Sequence, residues 1–126
     1  MPIVDHASVP ETPWRDNYRM FNIAGPAQGV TVGLSYSEVG PGAGAPLHTH
    51  QDDELIVVLE GALDVRIGDE VATAGRDTTV VVPPGVPHGF TAVGETPARL
   101  LGFFPAHDAF ERTEYLEGGP PQAHSV

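Results

Sequence analysis

Two histidines separated by one residue, His48 and His50, precede a carboxylate at Glu54, and a third histidine, His88, lies later in the chain. Side chains two or four residues apart share a face of an extended strand. We therefore expect His48, His50 and Glu54 to leave one face of a strand, or of a strand and its tight continuation. A divalent cation needs such convergent ligands, and His88 is a candidate to complete the set.

Three imidazoles and one carboxylate suit one divalent transition metal (Fe, Mn, Ni, Cu, Co or Zn), which availability and geometry then select. Four protein ligands on an octahedral metal leave two neighbouring positions for water, dioxygen or substrate. This favours a catalytic site over a closed structural one. Glu54 has a second interpretation, as a catalytic base that moves a proton beside the metal. Asp52 is an alternative carboxylate ligand, although the spacing favours Glu54.

The composition removes other kinds of chemistry. The 126 residues include neither cysteine nor lysine, so thiol catalysis and Schiff-base formation are unavailable. No serine lies in a Gly-x-Ser-x-Gly turn. Seventeen acidic and six basic residues give a formal net charge of −11, which opposes binding to nucleic acid. There is no long apolar run and no secretory signal, so we expect no membrane association and a cytoplasmic location.

Glycine and proline interrupt the chain so often that no long amphipathic helix fits between them. The segments between them are short and rich in β-branched and aromatic residues. The predicted strands are 18–24, 30–39, 55–59, 62–67, 70–74, 78–82, 89–93 and 98–104, and only 108–116 is predicted as a short helix. Gly68-Asp69 predicts a tight hairpin turn. About eight short strands at regular spacing favour a β-sandwich or barrel.

The motifs resemble those of the cupin superfamily. The first cupin motif is matched at its five fixed positions, Gly42, His48, His50, Glu54 and Gly61. The second motif is similar to the segment 83–88, which ends at His88, but its leading glycine comes two residues early, at Gly75, and Ala92 replaces its final asparagine.

This resemblance implies an all-β, single-domain cupin jelly-roll barrel (double-stranded β-helix) that spans residues 1–126. The barrel motifs would cover about 40–92, with N-terminal strands or a flap in 1–39 and a C-terminal strand and tail in 98–126. Trp14 and Tyr18 are candidates for such a flap, or for a dimer seam. The metal site implied by the resemblance lies inside the barrel, with His48, His50, Glu54 and His88 as ligands.

We expect an enzyme that acts on a small molecule, and three functions are considered because a fold alone does not specify one. The first is a metal-dependent dioxygenase that acts on a small enol, diketone or phenolic substrate, as in similar cupins. The second is a metal-dependent isomerase, lyase, decarboxylase or cyclase of a small carbonyl or sugar-acid substrate, in which Glu54 or a neighbouring tyrosine moves the proton. The third is a small-molecule-binding module without turnover.

The strand at 55–59 carries a prediction about assembly. Leu55, Val57 and Leu59 should face away from Glu54, which makes the outer face of this strand apolar. Such a face has to be covered by another sheet or by another subunit. Small cupins are commonly homodimers, so the resemblance implies a homodimer here.

Overall fold

A computed structural model describes residues 3–122, and most of these residues lie in antiparallel strands. The strands β1 to β11 are, in chain order, Glu11–Arg15, Tyr18–Ala24, Gly33–Val39, Gly44–Thr49, Glu54–Glu60, Ala62–Ile67, Glu70–Ala74, Thr78–Val82, His88–Val93, Ala98–Phe104 and Glu114–Tyr115. The helical segments are short 3-10 helices at His6–Ser8, Pro26–Gln28 and Ala109–Arg112. Within residues 3–122, no helix is long and apolar enough to cross a membrane.

The strands form two sheets, and every paired strand in them is antiparallel. The six-stranded sheet has the order β1-β2-β3-β10-β5-β8, and the five-stranded sheet has the order β11-β4-β9-β6-β7. Strands adjacent in sequence, such as β4 and β5, lie in different sheets, so the chain repeatedly crosses between them. This arrangement confirms the predicted all-β architecture of the jelly-roll class.

The core lies between the two sheets and is built by the alternation of side chains along each strand. From the six-stranded sheet, Ile56, Val58 and Leu100 point inwards, and from the other sheet Leu63 and Phe90 meet them. Each of these side chains is at most 9% exposed. At one end of this core lie the buried histidines His48, His50 and His88.

The predicted strand positions agree well with the structure. Strands β2, β6, β7, β8 and β10 have the predicted bounds, and β6 and β7 form the predicted hairpin, with Ile67 opposite Glu70. Gly68 in the turn has φ 57°, a left-handed conformation that glycine adopts at little cost. Strand β3 begins at Gly33 instead of residue 30, because a 3-10 helix and the left-handed Gly29 precede it.

The prediction of a short helix at 108–116 is wrong. Ala109–Arg112 forms one 3-10 turn, Thr113 is extended, and β11 pairs with β4 so that Glu114 lies opposite Thr49 and Tyr115 opposite His48. Pairing with β4 gives the backbone of Glu114 and Tyr115 hydrogen-bond partners outside a helix. Strand β1 also has no counterpart among the predicted strands, and β4 is anticipated only as the strand that carries His48 and His50.

Candidate metal centre

His48, His50, Glu54 and His88 come together at one end of the space between the sheets. One nitrogen or oxygen atom from each of the four lies within 4.8 Å of the others. The histidines are 2–6% exposed, and the Glu54 side chain is 12% exposed. Buried groups of this kind, converging through single donor atoms, could bind a metal.

The four side chains converge from both sheets, which differs from the predicted arrangement on one strand face. His48 lies near the end of β4, His50 follows that strand, and His88 begins β9 directly opposite His48. Glu54 begins β5, which belongs to the facing sheet. The chain crosses between the sheets over residues 50–53, so the shared parity of His50 and Glu54 is not the reason that they meet.

The Nδ1 atoms of the three imidazoles face hydrogen-bond partners outside the cluster. His48 Nδ1–H donates to the carbonyl oxygen of Pro46 at 2.6 Å, and His88 Nδ1–H donates to that of Val86 at 3.0 Å. A carbonyl oxygen only accepts, so in both rings Nδ1 carries a proton and Nε2 faces the cluster. His50 Nδ1 lies 2.7 Å from the Thr113 hydroxyl.

The Nε2 atoms and the carboxylate form a concentrated set of electron-pair donors. His48 Nε2 lies 3.1 Å from His50 Nε2, and Glu54 Oε1 lies 2.8 Å from His88 Nε2 and 3.5 Å from His50 Nε2. Two imidazole nitrogens at such a distance need a proton or a metal cation between them, because their lone pairs would otherwise repel each other. The residues present therefore fit a divalent transition metal, which three imidazoles and a carboxylate suit.

Charge within the cluster follows from burial and from these contacts. Burial, together with the neighbouring His88, lowers the pKa of His48 to about 4. Burial would raise the pKa of the Glu54 carboxyl, but hydrogen bonds from His50 and His88 lower it to about 2. Burial also opposes protonation of His88, yet its hydrogen bond to Glu54 raises the pKa of that imidazole. At neutral pH Glu54 is thus ionised and His48 is neutral.

The alternative ligand Asp52 lies outside the cluster. Its Oδ2 atom accepts hydrogen bonds from Arg112 at 2.9 and 3.2 Å. A carboxylate held this way stabilises the loop after His50 and is not among the clustered donor atoms. Among the histidines given no role, His6 and His107 are not part of the cluster, and His124 lies outside the described residues.

A cavity opens beside the cluster and has His48 and Glu54 in its wall. Its other polar lining residues are Arg15, Tyr18, Ser35, Ser37 and Tyr115, and its aromatic walls are Trp14, Phe90, Phe104 and Phe110. Trp14 and Tyr18 lie in β1 and β2 as part of the six-stranded sheet. A second cavity shares Ser35, Phe104 and Phe110 with the first.

Two parts of this environment were missed in the sequence. Thr113 contacts His50, and Tyr115 stacks on His48 with ring centroids 5.6 Å apart. Arg15, which belongs to an unpredicted strand, is the single cationic residue among those that line the metal-side cavity. Spacing gave no signal for these residues, because they lie more than thirty positions from the motif histidines that they approach.

Comparison with known proteins agrees with the fold and the motifs. The sequence model of a family described as "Cupin domain" matches residues 35–104, which is more than half of the chain. The tetracenomycin polyketide synthase protein TcmJ of Streptomyces glaucescens is 33% identical over 75 residues, which make up 58% of this chain. The match spans 50% of the length of TcmJ.

Two solved structures are similar throughout most of the chain. The polyketide cyclase RemF from Streptomyces resistomycificus has a TM-score of 0.78 and 23% identity over 94% of this chain and 87% of its own. KdgF from Halomonas sp. has a TM-score of 0.74 and 17% identity over 86% of this chain and 96% of its own. At these identities the likeness concerns the fold.

Proposed function

The chain belongs to the cupin family, and we propose that it is a metal-dependent enzyme that cyclises a small enolisable carbonyl compound by moving protons. The observation that carries the proposal is the shared wall of the metal-side cavity, where donor atoms for a metal lie beside groups that accept or donate protons. His48, His50, His88 and Glu54 would hold the metal. When bound there, it would act as a Lewis acid that polarises a carbonyl or enol oxygen.

Glu54 is the candidate to accept a proton from the substrate carbon next to the carbonyl. In the metal-free protein its Oε1 atom accepts a hydrogen bond from His88 Nε2, which keeps the carboxylate weakly basic. A ligating His88 has to be neutral, so it would no longer donate that proton, but a metal cation bound to the carboxylate would also keep it weakly basic. Glu54 would therefore accept the substrate proton when it is partly released from the metal.

Tyr18 and Tyr115 are the candidates to donate protons or hydrogen bonds to a substrate oxygen. Burial raises the pKa of both phenols, so both stay protonated at neutral pH. Arg15 lies over the Tyr115 ring, at 5.6 Å from its centroid, and adds a positive charge to this wall. Such a lining suits a substrate whose oxygen becomes negatively charged, as an enolate oxygen does.

Two of the relatives support cyclisation of a polyketide. RemF is a polyketide cyclase and TcmJ is a polyketide synthase protein, and polyketides are rich in enolisable carbonyl groups. The aromatic walls of the cavity would exclude water and pack against a flat substrate. We therefore infer that the substrate class is a β-polycarbonyl compound or its enol.

A dioxygenase that acts on an enol, diketone or phenolic substrate is the second candidate. The donor set favours it, because three imidazoles and a carboxylate also suit the redox-active metals Fe, Mn, Ni, Co and Cu. The same Glu54 would then deprotonate the substrate before dioxygen reacts. The two candidates differ in one measurable respect, which is the consumption of dioxygen.

The test uses metal-loaded protein with flavonols, 1,3-diketones, catechols and a linear β-polyketone, followed by absorbance under argon and by an oxygen electrode in air. We expect conversion of the polyketone under argon and no oxygen uptake. Glu54→Gln should reduce the rate by about 100-fold or more, whereas Glu60→Gln, a change at the exposed end of the same strand, should not. Conversion only with oxygen uptake would favour the dioxygenase, and wild-type protein that binds no metal would refute both.

We also infer that the protein is a homodimer that buries the outer face of the six-stranded sheet. Leu34, Phe103, Leu55 and Val81 lie opposite one another across four neighbouring strands and form an unbroken apolar row. Val81 is 60% exposed and the other three are partly exposed. A second copy, with the same uncharged row, is an occupant that covers these four side chains without placing a charge against them.

A further inference from the structure

Each of the three clustered imidazoles is oriented through its Nδ1 atom, but one of them differs from the other two. His48 and His88 donate to backbone carbonyl oxygens only two residues away, at Pro46 and Val86. The positions of these two carbonyl oxygens are set by the local backbone and do not depend on the side chains of Pro46 and Val86. His50 instead meets the hydroxyl of Thr113, which is 63 residues further along the chain.

The direction of the bond between His50 and Thr113 follows from the second hydrogen bond that the Thr113 hydroxyl makes. The Thr113 hydroxyl lies 3.2 Å from the carbonyl oxygen of Ala109 and donates its only proton there. It can then only accept from His50, at 2.7 Å, so His50 Nδ1 carries the proton. In the neutral ring, which a metal requires, the lone pair of His50 then lies on Nε2, the atom that faces Glu54 Oε1 and the Nε2 atom of His48.

The segment that carries Thr113, residues 108–115, is fastened on both sides of His50 and is called the C-terminal clamp below. Arg112 donates to Asp52 at 2.9 Å, which ties the clamp to the loop that follows His50, and to Asp108 at 3.0 Å within the clamp. On the other side, Tyr115 pairs with His48 across β11 and β4. Asp52 and Arg112 are 18% and 32% exposed, so the ion pair is partly shielded from solvent.

Aromatic packing restricts the same ring. Phe104 and Phe110 both meet the His50 imidazole edge to face, with centroids 5.0 and 6.1 Å away. This packing limits tilting of the ring but does not choose which nitrogen carries the proton. The choice depends on a hydrogen-bond acceptor at Nδ1, and the Thr113 hydroxyl is the acceptor that the described residues provide.

We propose that Thr113 is a positioning residue of the metal centre, which fixes the tautomer and orientation of His50 so that its Nε2 atom is presented to the metal. The proposal rests on the metal centre put forward above and not on a particular reaction. A hydrogen-bond partner of this kind also raises the basicity of the ligating nitrogen, and its loss costs about 10- to 100-fold in metal affinity.

The experiment compares Thr113→Val, which keeps the shape and removes the hydroxyl, with Thr113→Ser, which keeps the hydroxyl. Affinity for Zn²⁺ and Co²⁺ is measured by competition with a chelator, and the visible absorption spectrum of the Co²⁺ form is recorded. We expect Thr113→Val to bind each metal about 10- to 100-fold more weakly with a shifted Co²⁺ spectrum. Thr113→Ser should stay close to wild type in both measurements.

Thr73→Val is the matched control, since the Thr73 hydroxyl donates to Asp64 on an exposed strand pair far from the cluster. Thermal unfolding of the metal-free variants separates positioning from general stability. If Thr113→Val melts lower but binds metal as tightly as wild type, the residue is merely structural and the proposal is refuted. If Thr113→Val does not fold, the Zn²⁺ and Co²⁺ affinities of Thr113→Ala and Thr113→Ser are compared instead. Weaker binding by Thr113→Ala alone would support the proposal, and equal binding would refute it.

The failure of this proposal is distinguishable from the failure of the metal centre itself. Wild-type protein that binds neither Zn²⁺ nor Co²⁺ would refute both. Wild-type protein that binds metal, with a Thr113→Val variant equal to it in affinity and in Co²⁺ spectrum, would refute only the role of Thr113.

Discussion

At the scale of single residues, the environment of Tyr18 predicts a response of stability to alkali. Burial raises the pKa of its phenol above the ordinary value of 10, with a further contribution from the Glu54 charge, although a hydrogen bond with Ser37 acts in the opposite direction. Because the chain has no lysine or cysteine, tyrosines are the side chains expected to titrate between about pH 10 and 12. The dependence of unfolding free energy on pH in this range therefore reflects mainly the tyrosines.

We predict that the free energy of unfolding decreases above pH 10. The unfolded state then ionises while Tyr18 in the folded state keeps its proton, so the contribution of Tyr18 is complete below pH 10 and is lost as the pH rises. The decrease is up to about 1.4 kcal/mol per pH unit for one such group. Tyr18→Phe should reduce this slope, as measured by urea unfolding of metal-free protein between pH 9 and 11.5.

The control for this prediction is Tyr36→Phe, because Tyr36 faces away from the metal-side cavity and bonds to Arg99 on the outer surface. It should keep more of the wild-type slope than Tyr18→Phe does. A Tyr18→Phe variant with an unchanged slope would contradict the raised pKa.

At the scale of elements, the contact between β4 and β9 determines where two of the histidines meet. His48 lies opposite His88, and Gly44 lies opposite Thr91 near the other end of the same strand pair. A Cβ atom on Gly44 would overlap the carbonyl oxygen of Phe90. The glycine is therefore required by the close approach of two backbones and not by its own dihedral angles.

We predict that Gly44→Ala destabilises the protein by about 1–3 kcal/mol, because β4 and β9 have to separate to admit the methyl group. Urea unfolding of the metal-free protein measures the change. Gly75→Ala is the matched control, since a Cβ atom there meets nothing within 4 Å, and it should change stability by about 0.5 kcal/mol or less. Equal stability of the two variants would show that the strands accommodate the extra atom.

At the scale of the whole molecule, the outer face of the six-stranded sheet is the proposed dimer interface. We predict that wild-type protein sediments as a dimer and that Val81→Glu sediments as a monomer, because the new carboxylate would be buried in the apolar row without a partner. Sedimentation velocity over a range of concentrations measures both. Val71→Glu is the control, as Val71 is 72% exposed on β7 in the other sheet.

Two results would contradict this assembly. One is wild-type protein that stays monomeric at every concentration, and the other is a Val81→Glu variant that still dimerises. In the second case the dimer would have to form through a different surface.

The local features of the fold could be predicted from sequence because short-range chemistry determines them. Alternating and β-branched residues specify strands such as β6 and β8, and Gly68 specifies the hairpin between β6 and β7. The identity of the four clustered residues was also predicted, from the donor types and from their spacing in a motif that resembles the cupin pattern. The domain limits and the role of Glu54 stay predictions.

Features that depend on contacts between elements distant in sequence could be known only from the tertiary structure. Spacing placed Glu54 on the strand face of His48 and His50, whereas the chain crosses to the facing sheet before Glu54. Residues 108–116 have no strong helical or strand pattern of their own, and pairing with β4 determined their conformation. The sequence alone thus determined which donor atoms the protein possesses. Only the packing of two sheets and the C-terminal clamp decided how those atoms are oriented, because hydrogen bonds such as His50 to Thr113 join residues that no local pattern connects.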